Sequence, residues 1–149
     1  MRTNELERLK LIISEVENLA IRANNKRILN ILKRDRGELK NIIPDELLDS
    51  RGYPTLEWLQ FLENYEPSDE LPLLTVVRDI LPKGWYMAEW GYVLHRKYRG
   101  IIKLELHTGG WSGNEEVIEA ILSNMHFTHF KMQYVEWRAG GHYYFEIKC

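Results

Sequence analysis

Thr108-Gly109-Gly110-Trp111-Ser112-Gly113-Asn114-Glu115-Glu116-Val117-Ile118-Glu119-Ala120-Ile121-Leu122 is the segment from which the architecture follows. It contains a strand end, a glycine turn, a helix start and an amphipathic helix within fifteen residues. Ser112 and Glu115 have the Ser-x-x-Glu spacing of a capping box, just ahead of Val117, Ile118, Ile121 and Leu122. The glycines permit backbone angles that other residues avoid. Three glycines and a tryptophan exceed what a strand-to-helix connection needs. Free amides on such a turn can hold an anion, but Glu115, Glu116 and Glu119 already complement the helix dipole, so a structural turn is the simpler expectation.

On either side of this segment the period is that of strands. Trp85–His95 reads as one strand and Ile101–Thr108 as a second, joined through Arg99-Gly100. Phe130–Trp137 reads as a third. Ala139-Gly140-Gly141 reads as a hairpin turn and His142–Ile147 as a fourth strand. Residues 83–149 are therefore expected to form a ββαββ antiparallel sheet unit. Residues 1–82 are expected to be a helical N-terminal region, and the two to make an α+β protein that packs as one unit. Leu6, Leu9, Ile13, Val16, Ala20 and Ala23 form a stripe at helical period. Its heptad-like spacing suits pairing with itself or with the rest of the chain. Thr55 is placed to cap a helix carrying Leu56, Trp58, Leu59 and Leu62, and Ser68 a shorter one with Leu73, Val76, Val77 and Ile80.

The chain has 149 residues, enough to bury a core without disulfide staples. Its net charge of −2 hides a partition. Residues 1–40 carry ten Lys/Arg against six Asp/Glu, residues 41–82 two against nine, and residues 83–149 eight against seven. Oppositely charged segments either neutralise each other or face different partners. The single cysteine, Cys149, is the last residue, which excludes an intrachain disulfide and fits a reducing compartment. There is neither a signal-peptide core nor a membrane-spanning run, so a cytoplasmic location is expected, without membrane association.

Two surfaces attract a functional reading. All five histidines lie in the last 55 residues, and strand alternation can gather Glu105, His107, Glu136, His142 and Glu146 on one sheet face. Such a face suits cross-strand charge pairs, a divalent metal or acid–base chemistry. A metal-dependent hydrolase or nuclease would use Glu105, His107, His142 and Glu146. Alternation also puts Met132, Tyr134 and Glu136 together against Gln133, Val135 and Trp137. Tyr86, Trp90, Tyr92, Tyr134, Trp137 and Tyr144 offer a platform for stacking bases, without the basic signature of an RNA-recognition motif. The second surface is Arg22–Arg36, with six Lys/Arg and one Asp. Arg27, Lys33, Arg34 and Arg36 are its candidates for contact with a partner or with nucleic acid, against the plainer reading of a solvated helix face.

Two blocks, Leu104–Glu116 with its Thr-Gly-Gly-Trp-Ser-Gly-Asn-Glu-Glu core and Arg138-Ala139-Gly140-Gly141-His142-Tyr143-Tyr144-Phe145-Glu146, together resemble a family of small phage and prophage proteins. The likeness covers about residues 100–147; here Ala139 interrupts the basic run often seen before the Gly-Gly. The resemblance implies a phage accessory protein that binds a host protein or nucleoprotein machine, in the manner of inhibitors of bacterial immunity such as anti-CRISPR proteins. It implies an interface rather than a catalytic site, and no cofactor. His107, Trp111, Ser112, Glu115 and His142 are then the expected family-specific surface.

Overall fold

The computed structural model describes residues 2–22 and 41–149, in two compact units that divide between Lys40 and Asn41. Arg27, Lys33, Arg34 and Arg36 lie outside the described residues. The first unit contributes helix α1 (Arg2–Arg22). Among the described residues no helix is long and apolar enough to cross a membrane.

The second unit is α+β. It comprises α2 (Leu56–Asn64), the short α3 (Leu73–Thr75), α4 (Ala88–Gly91), β1 (Tyr92–Leu94), β2 (Ile101–His107), α5 (Ser112–Ser123), α6 (Met125–Thr128), β3 (Met132–Arg138) and β4 (His142–Lys148). Its ββαββ portion forms one antiparallel sheet in the order β1-β2-β4-β3. The expected fold class is therefore the observed one.

The core lies on one side of that sheet. Leu104 and Leu106 of β2, Phe145 and Ile147 of β4 and Met132 of β3 point inward. They meet Val117, Ile118 and Ile121 of α5, with Trp58, Phe61 and Leu62 of α2 in the same cluster. Each such aliphatic side chain contributes about 1.5–3 kcal/mol on burial. Thr55 caps α2 as its sequence position indicates, its hydroxyl accepting from Trp58 N–H at 3.2 Å. Ser68 accepts from Leu71 N–H at 3.0 Å ahead of α3, after which Val76–Ile80 makes a π turn and Leu81–Gly84 a 3-10 turn. Val76, Val77 and Ile80 are buried, as their spacing requires.

Asn124 joins the layers. Its Nδ2 donates to the carbonyls of Leu62 and Tyr65, both at 2.8 Å, while its Oδ1 accepts from His126 N–H at 2.9 Å. One buried side chain thus satisfies carbonyls at the end of α2 and caps α6.

Three local expectations differ from the structure. Trp85–His95 is not one strand: only Tyr92–Leu94 is, because Met87 turns left-handed at φ 55° and starts the helical turn α4. Trp85 is buried in the core instead, and Gly91 passes so close to β2 that a Cβ there would meet the His107 carbonyl oxygen at 2.4 Å. The capping box is absent. Trp111 is the N-cap of α5, no side chain caps it, and Ser112 is already its first residue. Alternation fails in β3, where the register shifts between Tyr134 and Glu136. Tyr134 pairs with Phe145 on the core side, whereas Glu136 pairs with Tyr144 on the outer side, so Glu136 does not share a face with Met132 and Tyr134.

Candidate functional site on the outer sheet face

The glycine turn is held by side chains drawn from across the unit. Thr108 is 2% exposed, and its hydroxyl donates to Glu115 Oε1 at 2.6 Å. Its N–H donates to the Gly141 carbonyl at 2.9 Å, and its carbonyl accepts from Trp111 N–H at 3.1 Å. Glu115 Oε2 also accepts from the Tyr143 hydroxyl at 3.3 Å. Gly141, at φ +79°, leaves the space for this: a Cβ there would lie 2.0 Å from Thr108 Oγ1. Asn114, 2% exposed, exchanges two 3.0 Å hydrogen bonds with the backbone of Tyr86, imitating a strand pair. Trp111 packs between Tyr53 and Tyr86, with ring centroids 4.7 and 4.9 Å away, and its Nε1–H donates to the Gly52 carbonyl at 3.2 Å. Trp111 and Glu115 are therefore engaged inside the fold, and Ser112 is exposed on the first turn of α5.

His107 and His142 point the other way, onto the uncovered face of the sheet. The β2–β4 register sets His107 opposite His142, Glu105 opposite Tyr144 and Lys103 opposite Glu146, and β3 adds Gln133, Glu136 and Arg138. Glu105, His107, Glu136, His142 and Glu146 thus share one face. The two histidines meet through their Nδ1 atoms at 2.8 Å, so one ring donates and the other accepts. Glu105 Oε2 lies 3.2 Å from His95 Nε2 and 4.0 Å from His107 Nε2. Burial, followed by the charge of His142, holds the His107 imidazole below its ordinary pKa, and Glu105 opposes both. The cation of Arg138 sits 5.2 Å above the Tyr144 ring and forms a 2.9 Å ion pair with Glu136. Trp90 closes the His107 end, its ring centroid 6.5 Å from the imidazole.

A shallow cavity of about 280 Å³ runs along this face, lined among others by Glu105, Val135, Glu136, Arg138 and Tyr144. Beside it the outermost strand, β3, leaves Val135 and Trp137 more than half exposed, at 53% and 54%, and Tyr134 at 37%. Among the described residues no three His, Cys, Asp or Glu side chains are grouped to hold a metal ion. Glu105, His107, His142 and Glu146 share a face without converging on a point.

The sequence reading missed several members of this arrangement. His95 comes from the end of β1, and Arg138 reaches the face only through the register shift in β3. Tyr53, Thr108 and Asn114 act through partners 28 to 59 residues away, for which no local pattern exists, and Tyr86, expected on a strand as part of a stacking platform, lies outside the strands and packs against Trp111. No protein-family model, no curated protein and no solved structure matches this chain.

Proposed function

We propose that this protein works by docking onto a macromolecular partner, through the β3 edge and the adjoining outer sheet face. The observation that carries the reading is the exposure of both sides of the outermost strand, Val135 beside the outer face and Tyr134 and Trp137 on the opposite side, where they pair with Phe145 and Tyr143. Exposed apolar edges are a liability that folded proteins ordinarily blunt, and aromatic residues are enriched in binding interfaces. The Glu136–Arg138 pair and the bulge keep the edge from open-ended strand pairing while leaving the aromatic surface accessible.

The charge of the face favours a protein surface over a phosphate backbone. Lys103 and Arg138 stand among Glu105, Glu136 and Glu146, so the face lacks the one-sided basic field that nucleic acid selects. With the sequence resemblance to phage accessory proteins, this extends the proposal to a host protein or nucleoprotein machine, including one of bacterial immunity, that the protein inhibits or redirects.

The test is affinity capture from bacterial lysate by the wild-type chain and by Val135→Lys/Trp137→Lys, each with and without nuclease. A dominant host protein that survives nuclease and is lost with the double variant supports the reading. Capture unchanged by the double variant, or lost on digestion, counts against it and transfers the weight to a nucleic-acid module.

A further inference from the structure

We infer that the end of the sheet at the β1–β2 hairpin tip binds single-stranded nucleic acid, as a site separate from the β3 edge and independent of the docking proposed there. From Tyr92 to Leu104 the chain has four Lys/Arg and no Asp or Glu. Strand pairing carries this bias across the sheet. Cys149 N–H donates to the Gly100 carbonyl at 2.9 Å, and Lys148 N–H to the Lys131 carbonyl at 2.8 Å. Arg96, Lys97, Arg99, Lys131 and Lys148 are thereby gathered at one end of the sheet. All five are exposed, and none is ion-paired with a described residue. Lys103 and Glu146, opposite each other on β2 and β4, mark the border with the mixed charge of the outer face.

Aromatic rings stand among these cations. Tyr98, at the tip, is 69% exposed. Its backbone and that of Ile101 exchange hydrogen bonds at 2.9 and 3.0 Å, closing a two-residue turn in which Arg99 and Gly100 are both left-handed, at φ 50° and 78°. The Arg99 cation lies 5.2 Å from the centre of the Tyr98 ring. Beside Lys148 and Cys149 a hollow of about 620 Å³ opens, with Lys131 and Asp69 in its lining. His126 and Phe130 line it too, their ring centroids 5.2 Å apart, and Phe130 is 53% exposed. Cations beside a hollow with open rings suit a single strand: the cations follow phosphates while unpaired bases stack on the rings. A duplex keeps its base faces stacked on one another. An acidic peptide would satisfy the cations but offers carboxylates, not flat π faces, to Tyr98 and Phe130. A vesicle surface is too flat to enter the hollow.

The test is fluorescence anisotropy of the full chain with labelled oligo(dT) and oligo(rU) of about 15 nucleotides. Dissociation constants on the order of 10 µM are expected at low salt, with the logarithm of the association constant falling against log salt at a slope of about −3.5 if all five cations engage. Tyr98→Ala is expected to weaken binding about 5- to 150-fold at an unchanged salt slope, and Tyr98→Trp to retain it. Arg96→Gln/Lys97→Gln is expected to make the slope shallower by about 1.4. These side chains are exposed, so near-UV dichroism and Tm of the variants are expected to match wild type, which separates lost binding from lost folding. Binding to neither oligonucleotide, tighter binding of a duplex of the same length, equal competition by polyglutamate or by phosphatidylserine vesicles at matched charge, or an affinity unmoved by Tyr98→Ala would overturn the proposal. Purified chain and oligonucleotide are the only components, so a negative result leaves the β3 edge as a protein-docking surface.

Discussion

Replacing Gly141 by alanine tests whether the Thr108–Glu115 pair holds the glycine turn together. The Gly141 backbone lies at φ +79°, where an L-residue costs about 1–2 kcal/mol. The new methyl would also lie 2.0 Å from Thr108 Oγ1 and 3.1 Å from Glu115 Oε1, so the threonine hydroxyl must leave its carboxylate. A hydrogen bond to a charged group contributes about 1.5–3 kcal/mol. Together these give an expected loss of roughly 2.5–5 kcal/mol. In a folded unit of roughly 110 residues each kcal/mol moves Tm by about 4 °C, so Tm should fall about 10–20 °C. Gly110→Ala is the matched control. It has the same left-handed backbone, at φ +73°, with nothing within 4 Å of the new methyl, so only the backbone cost of about 1–2 kcal/mol applies. Urea unfolding of both variants isolates the clash and the lost hydrogen bond as their difference. Equal destabilisation of the two, within about 0.5 kcal/mol, would refute the reasoning.

Three other outcomes follow from the same structure. Asn124→Asp keeps the cap on α6 but turns a carboxylate oxygen toward the Leu62 and Tyr65 carbonyls, and should cost about 3–5 kcal/mol at neutral pH. Once protonated, the introduced carboxyl group can donate again, so this variant's deficit relative to wild type should shrink as pH falls; a deficit independent of pH would contradict the role given to Nδ2. In an NMR titration His107 should have its midpoint below 6.5, and Glu105→Gln should lower it further by removing the charge that favours the imidazolium. Because the folded-state pKa is depressed, the neutral His107 contributes stability that is present above pH 6.5 and is lost as pH falls through the folded value; a midpoint at or above 6.5 would exclude the burial argument. Trp111→Ala removes the ring between Tyr53 and Tyr86 and should cost about 3–5 kcal/mol in denaturant unfolding, whereas Ser112→Ala, at an exposed non-capping position, should change stability by less than about 0.5 kcal/mol.

The α+β class, the order ββαββ and the hairpin at Ala139–Gly141 were legible along the chain, because they rest on local signals. Alternation of Leu104 and Leu106 with Lys103, Glu105 and His107 marks the two faces of β2, and the 3.6-residue spacing of Val117, Ile118 and Ile121 marks the buried side of α5. Alternation also implied that glutamates and histidines share a face, since a period of two leaves only two choices. Long-range packing set the rest. The bulge that brings Glu136 and Arg138 outward depends on pairing with β4, and a single extra residue there reverses every later side chain in β3. The capping box, locally complete, lost to the 2.6 Å bond between Glu115 and the buried Thr108, because a buried hydroxyl without a partner costs more than an uncapped amide near solvent. Trp85 went to the core instead of a strand because the left-handed turn at Met87 starts α4 after it, and Gly91 must be glycine because the His107 carbonyl and the Trp85 indole lie against it. Spacing along a chain reports which residues can share a face; which of them touch is fixed only when distant segments compete for the same space.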